Sequence, residues 1–289
     1  MVELIHPHTR DAIAAKIQAD VDQFCKVEYN DGHRKHLGAS LIGHKCDRYL
    51  WYVFRWVLDP NGNSGRMERL FNRGHETEDR FITWLRGASF TVWDRDENGQ
   101  QFRISGVEGH FGGSLDGVCQ APPNYQIGEP LLTEFKTHNE KSFNKLVKEK
   151  VKVAKPQHYA QMCVYGAKNR LRYALYCAIN KNTDETYFEI VELDWTYGND
   201  LADRRAPGII LSPSPPPRLH ETPTHFDCKF CDAFSVCHSS APYQKNCRSC
   251  EFASPIKGGQ WWCSGYRAVI PDDVIAVGCP AYHQAGRQK

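Results

Sequence analysis

Hydrophobic and polar positions alternate with two different periods along the first two-thirds of the chain. From Met67 to Arg86, Phe71, Ile82 and Leu85 recur at helical spacing and Glu78 falls on the same stripe, which predicts an amphipathic helix with an acid on its buried side. Such an acid is costly unless a cation or partner meets it; at the edge of the stripe, beside Glu76 and Asp79, it would simply be solvated. Gly74, one turn earlier, is expected to let another element approach closely. Residues Leu131 to Thr137 read Leu-Leu-Thr-Glu-Phe-Lys-Thr, a β-rich run in which side chains alternate faces, so Glu134 and Lys136 point the same way. Gly112-Gly113-Ser114-Leu115-Asp116-Gly117 reads as a strand ending in a tight turn that leaves the acid at the strand end.

The coarse pattern is helices through residue 86, strands near 90–94, 101–108, 111–119 and 131–137, helices at 140–152 and 157–168, then strands near 171–179 and 186–194. Thr137-His138-Asn139-Glu140 resembles a capping box, and Pro156 separates the two helices. Meandering strands, a helical crossover and a further strand predict an α/β fold with a mixed central sheet flanked by helices.

The polar residues left on these elements suggest a chemistry. Hydrolysis of a phosphodiester needs a water placed opposite the leaving oxygen and neutralisation of the anion, and a hard divalent cation held by carboxylates serves both needs. Asp116 and Glu134 are candidate ligands, and Lys136 is a compact cation able to orient water or stabilise developing charge. Glu-x-Lys alone equally fits an ion pair on an exposed strand. Lys141, Lys145, Lys148, Lys150, Lys152 and Lys155 face one acid, Glu149, in a cluster able to neutralise phosphates, although a solvated helix face has the same composition. Gln157, Gln161 and Tyr165 at i, i+4 and i+8 form a polar stripe that fits either phosphate and water or simple packing.

Gly74-x-x-x-Glu78, Gly113-x-x-Asp116, Glu134-x-Lys136 and Gln161-x-x-x-Tyr165, in that order over roughly residues 38 to 195, resemble the motifs of the PD-(D/E)xK nuclease superfamily, in its RecB-like and phage λ-exonuclease-like branches. The resemblance implies a restriction-endonuclease-like core and a DNA nuclease dependent on Mg²⁺ or Mn²⁺. In it Glu78, Asp116 and Glu134 bind metal, Lys136 is the catalytic lysine, and Gln161 and Tyr165 support the substrate. RecB-like members carry a histidine in the first motif, whereas this chain has Glu78 there, with His75 nearby.

Twelve cysteines in a chain without a secretory signal point to metal or cluster ligation in a reducing compartment. Cys228-x2-Cys231-x5-Cys237 offers three ligands, and Cys46 is the candidate fourth; zinc held with His225 or His238, and a plain core cysteine at 46, are the alternatives. The arrangement is similar to iron–sulfur nucleases of the AddB type and CRISPR-adaptation exonucleases, which implies a [4Fe–4S] cluster joining the ends of the nuclease fold. Cys247-x2-Cys250-x12-Cys263-x15-Cys279 has the pairing of a small zinc module, with His283 as a spare ligand to Zn²⁺. Cys25, Cys119, Cys163 and Cys177 sit singly in apolar surroundings and are expected to be buried.

The length allows a nuclease core at 1–211, a linker and cysteine segment at 212–240 that closes onto it, and a cysteine-rich metal-binding module at 241–289, with Pro213, Pro215, Pro216 and Pro217 marking the join. Net charge is only +2, so contact with DNA has to come from a local patch. No apolar run reaches the length of a membrane span, and the first residues, with Glu3, His6, His8 and Asp11, do not resemble a signal peptide, which predicts a cytoplasmic protein of a bacterial or phage-infected cell. The expected function is a metal-dependent DNA exonuclease acting on ends or single strands in recombination, repair or phage replication, with partner proteins from those processes. The alternatives are a non-cleaving iron–sulfur and zinc DNA-binding protein and an end-trimming nuclease of the CRISPR-adaptation type.

Overall fold

The computed structural model describes residues 7–59 and 63–286; Glu3 and His6 lie outside them. The chain begins with α1 (Pro7–Glu28), β1 (Leu37–Gly38), α2 (Asp47–Phe54) and α3 (Gly65–Gly87). Strands β2 (Thr91–Trp93), β3 (Arg103–Gly106), β4 (Phe111–Ser114), β5 (Gly117–Gln120) and β6 (Leu131–His138) follow. Next come α4 (Glu140–Ala154), α5 (Pro156–Asn169), β7 (Tyr173–Asn180) and β8 (Thr186–Glu192). Short helices α6 (Trp195–Asn199) and α7 (Ala206–Ile210) close the core.

The main sheet has the order β2-β5-β6-β7-β8, in which β6 and β7 are parallel and every other pair is antiparallel. The parallel pair is joined by α4 and α5, the crossover that such a pair requires. Mixed sheets flanked by helices were expected. The alternation along β6 sorts its residues between two packing layers. Leu131 and Phe135 face α3, where Phe135 stacks on Phe81 with ring centroids 5.3 Å apart. Leu132 joins the other layer, with Tyr176 of β7 and Tyr159, Met162 and Val164 of α5. Glu134 and Lys136 share the parity of Leu132, and Glu134 pairs in register with Tyr176.

The structure departs from the sequence reading at several points. The expected single strand over 111–119 is two strands in two sheets: β4 lies between β1 and β3 in a three-stranded sheet, whereas β5 belongs to the main sheet. The chain crosses between them at Leu115 and Asp116. On α3 the buried residues are Glu68, Thr77, Phe81, Ile82 and Leu85, while Phe71 stands half exposed. A Cβ on Gly74 would meet nothing within 4 Å, so no element packs against that glycine. The cap of α4 is Asn139, whose side chain accepts from Ser142 N at 2.9 Å, rather than Thr137.

Beyond the proline-rich join lie α8 (Phe226–Lys229), α9 (Phe234–His238), the antiparallel sheet of β9 (Ala253–Pro255), β10 (Trp261–Cys263) and β11 (Ala268–Ile270), and α10 (Asp272–Ile275). This C-terminal part shares one apolar cluster with the core, to which Trp261, Ile270 and Ile275 contribute. Two buried arginines fasten it. Arg55 Nη1 donates to the Arg248 and Ala253 carbonyls at 3.1 and 2.8 Å, and the Arg248 guanidinium stacks on Phe54, Trp56 and Trp261.

Candidate active-site cleft and cysteine clusters

Asp116 occupies the point where the chain leaves one sheet for the other. Backbone pairing of β5 with β6 starts at Gly117 and Thr133, so beyond that pair the Phe135 N–H has lost its strand partner, and the Asp116 carboxylate takes the place, accepting from it at 2.8 Å. Gly117 makes the turn possible: its φ of +155° is one that L side chains rarely adopt, and a Cβ there would meet the Trp93 carbonyl at 2.9 Å. The result fixes Asp116 Oδ2 3.8 Å from Lys136 Nζ. The ammonium also contacts Glu134 Oε1 and donates to the Phe135 carbonyl at 3.0 Å.

Glu134 is fully buried, and neither of its carboxylate oxygens has a well-formed hydrogen bond among the described residues. The Lys136 ammonium in contact with Oε1 supplies charge but not a full complement of donors. Burial and the neighbouring Asp116 raise the Glu134 carboxyl to about 8, against the opposing pull of Lys136. Glu78, reaching in from α3, is raised to about 7 by burial and by Asp116. Burial disfavours the Lys136 charge, but the carboxylates of Glu134 and Asp116 outweigh it and hold the ammonium well above its ordinary range. The group is thus a charged lysine beside two carboxyls, Glu78 and Glu134, that resist ionisation because burial and neighbouring negative charge both disfavour their anions.

These groups open onto a cleft of about 910 Å³ lined by Glu78, Asp116, Lys136, Gln161 and Tyr165, with Glu134 beneath it. All six residues singled out from the sequence therefore converge. Gln161 and Tyr165 are buried on α5, and Tyr165 Oη fits only because position 113 is glycine: a Cβ there would stand 2.4 Å from it. Gln157, from the same stripe, instead ties α5 to the Ser40 carbonyl at 2.8 Å.

The cations that line the cleft are Arg34, Arg103 and Lys136; the lysines of α4 do not line it, so the patch expected there is not part of the cleft wall. Phe71, His36 and His158 were missed by the sequence reading. His158 carried a readable signal, being three residues before Gln161 and so on the same helical face. Phe71 was assigned to the buried stripe because an aromatic at helical spacing looks the same whether it packs inward or walls a cleft.

The four cysteines of the first set share a pocket wall. Cys46, at the N-cap of α2, lines one pocket with Cys228, Cys231 and Cys237, joining residues far apart in sequence. His44 and His238 line the same pocket, so mixed sulfur and nitrogen ligation is sterically in reach. Cys247, Cys250, Cys263 and Cys279 line a second cavity of about 240 Å³. Cys25, Cys119, Cys163 and Cys177 are buried, as expected, with Cys119 and Cys177 in the same apolar cluster. His220, His225 and Asp227 bring ligand atoms within 4.8 Å of one another, but Lys45 pairs with Asp227 and His225 Nδ1 caps the Asp227 N–H at 3.3 Å, which accounts for the cluster.

No protein-family model and no curated protein sequence matches the chain. Among solved structures, it is similar to SSO0001 at 13% identity and a TM-score of 0.44, over 78% of this chain and 98% of that one. It is also similar to LHK-Exo, an alkaline exonuclease from Laribacter hongkongensis, at 15% identity and a TM-score of 0.41, over 63% of this chain and 89% of that one. The LHK-Exo complex with dAMP aligns at 14% identity and a TM-score of 0.40, over 61% and 86%.

Proposed function

We propose that the cleft is the active site of a divalent-metal-dependent deoxyribonuclease, an exonuclease acting on DNA ends or single strands. One observation carries this reading: the carboxyls of Glu78, Asp116 and Glu134 and the Lys136 ammonium converge, and the most buried carboxylate lacks the donors that such a group requires. Glu78, Asp116 and Glu134 fit a Mg²⁺ or Mn²⁺ ion, because hard oxygen donors that repel one another are relieved by a divalent cation. When bound, the ion supplies Lewis-acid activation of a water and neutralises the phosphodiester.

The chain's own residues supply the rest. Lys136 Nζ, held by Glu134, Asp116 and the Phe135 carbonyl, is a charged donor placed to orient a nucleophilic water or meet charge developing on the phosphate. Arg34 and Arg103 are positioned to neutralise backbone phosphates, and the half-exposed Phe71 ring offers a platform on which a base can stack.

The cysteine sets are read as accessory. Cys46, Cys228, Cys231 and Cys237 fit a [4Fe–4S] cluster by their donor chemistry and would hold the chain ends together. Cys247, Cys250, Cys263 and Cys279 fit Zn²⁺; as a thiolate, Cys250 would also favour the charge on the buried Arg55.

The test is Mn²⁺-dependent degradation of end-labelled DNA by wild type and by Lys136→Ala. Wild type is expected to shorten the label, and the variant to lose at least about a hundredfold in rate while staying folded. Two inert proteins that both still retard DNA would instead identify a non-cleaving DNA-binding protein.

A further inference from the structure

His158, on the cleft wall, is the end of a hydrogen-bonded chain of five side chains. Its Nδ1 lies 2.9 Å from Tyr176 Oη, and the same hydroxyl lies 2.9 Å from His138 Nε2. His138 Nδ1 is 3.3 Å from Ser142 Oγ, which in turn contacts Lys155 Nζ. The series thus runs from Lys155, half-buried between α4 and α5, through α4, β6 and β7 to the cleft.

Its direction follows from donor counting. An ammonium donates and never accepts, so Ser142 Oγ must accept from Lys155. The serine hydrogen then needs an acceptor of its own, and among the described residues the other partner of Ser142 Oγ is His138 Nδ1. His138 therefore carries its hydrogen on Nε2 and donates it to Tyr176 Oη. The phenol has one hydrogen, which goes to His158 Nδ1. His158 is left with its hydrogen on Nε2. The opposite direction would set a serine hydroxyl between two donors, with no acceptor for its own proton. Burial, together with the nearby Lys136 and Lys155, favours the uncharged imidazoles on which this counting depends: His138 is lowered to about 4, and His158 is held well below its ordinary value.

We propose that His158 presents its Nε2–H to the cleft as a fixed, uncharged donor to a phosphate oxygen of the bound strand, and that Tyr176, His138, Ser142 and Lys155 are positioning residues that set its tautomer. This rests on the nuclease reading above. An uncharged donor orients an anion without placing a second cation next to Lys136, where it would compete for the carboxylates.

The tautomer can be read without substrate. In full-length protein labelled with ¹⁵N-histidine, a long-range ¹H–¹⁵N spectrum assigned with His158→Gln should show His158 protonated on Nε2, and Ser142→Ala should convert it to a mixture. A wild-type His158 protonated on Nδ1, or a ring unchanged by Ser142→Ala, overturns the relay. For the contact, an end-labelled single-stranded oligonucleotide is the probe. His158→Ala is expected to lower kcat/KM about ten- to a hundredfold, mainly through KM, and His158→Gln, whose amide nitrogen reaches the Nε2 position, to recover most of it. His158→Asn, which mimics Nδ1, should not. Equal losses in all three variants, or none, overturn the contact. Binding of the same oligonucleotide without divalent ion gives the same comparison independently of cleavage. A wild type that binds but does not cut therefore refutes the nuclease reading, while the spectrum and the binding ratios still decide this proposal.

Discussion

Replacing Glu134 by Gln should remove much of the loss of stability that metal-free protein shows as pH rises. The carboxyl is fully buried and is raised from its ordinary 4.5 to about 8, chiefly by burial. An acid raised on folding stabilises the native state fully below its unfolded value and loses that contribution as pH rises through the folded value. At about 1.4 kcal/mol for each tenfold change, the rise corresponds to up to about 5 kcal/mol lost between pH 4 and 9. Water entry and relaxation around an ionised Glu134 reduce this, so about 2 kcal/mol or more is expected. Lys136 is charged in both states over this range and adds no slope of its own. Glutamine keeps the shape of the protonated acid without its titration. Urea denaturation of chelator-treated proteins should therefore find the variant close to wild type at pH 5 and more stable by about 2 kcal/mol or more at pH 9. Mg²⁺ at pH 9 should stabilise wild type more than the variant. Curves that stay parallel from pH 5 to 9, or a variant less stable at pH 9, would refute the placement of a strained carboxyl at the cleft floor.

Two further substitutions probe the supporting structure. Gly113→Ala drives a Cβ to 2.4 Å from Tyr165 Oη and should cost about 1–3 kcal/mol by urea denaturation. Adding Tyr165→Phe should return most of that loss, whereas a single variant as stable as wild type would contradict the close approach. Cys46→Ser should remove iron and acid-labile sulfide from anaerobically purified protein and lower stability by up to about 5 kcal/mol, the loop-closure entropy for a span this long. Colourless wild type with stoichiometric zinc would assign those four cysteines to zinc instead.

Much of the site was legible because its information is local. Glu134 and Lys136 share a face by strand parity alone, and Gln161 and Tyr165 share one by helical spacing, so each pair could be placed without knowing the fold. The convergence of Cys46 with the C-terminal cysteines was likewise expected, from an odd ligand count. What stayed hidden depends on partners distant in sequence. Periodicity shows that residues 111–119 are extended but not which strands they pair with, so the change of sheet at Asp116 was missed. The relay from Lys155 to His158 draws on four elements, and only their packing reveals it. The lysines of α4 made a conspicuous charge run, yet charge density carries no information about which way a helix faces. Arg55 and Arg248 look like surface cations in the sequence, and their burial shows that the C-terminal part is folded into the core rather than appended to it.

Asp116 lies between the two sheets, outside the strands of either, while Glu134 and Lys136 stand within the larger one. The distance from the first carboxylate to the second is therefore set by how one sheet seats on the other, as the gap of a vice is set by its two jaws. Point changes at the seam where Phe111 and Leu115 pack, the first on the cleft wall and the second buried beside the acid, have leverage over that distance without removing any of the charged groups. A residue inserted between Ser114 and Gly117 would turn the acid away from Lys136 while leaving every strand able to form.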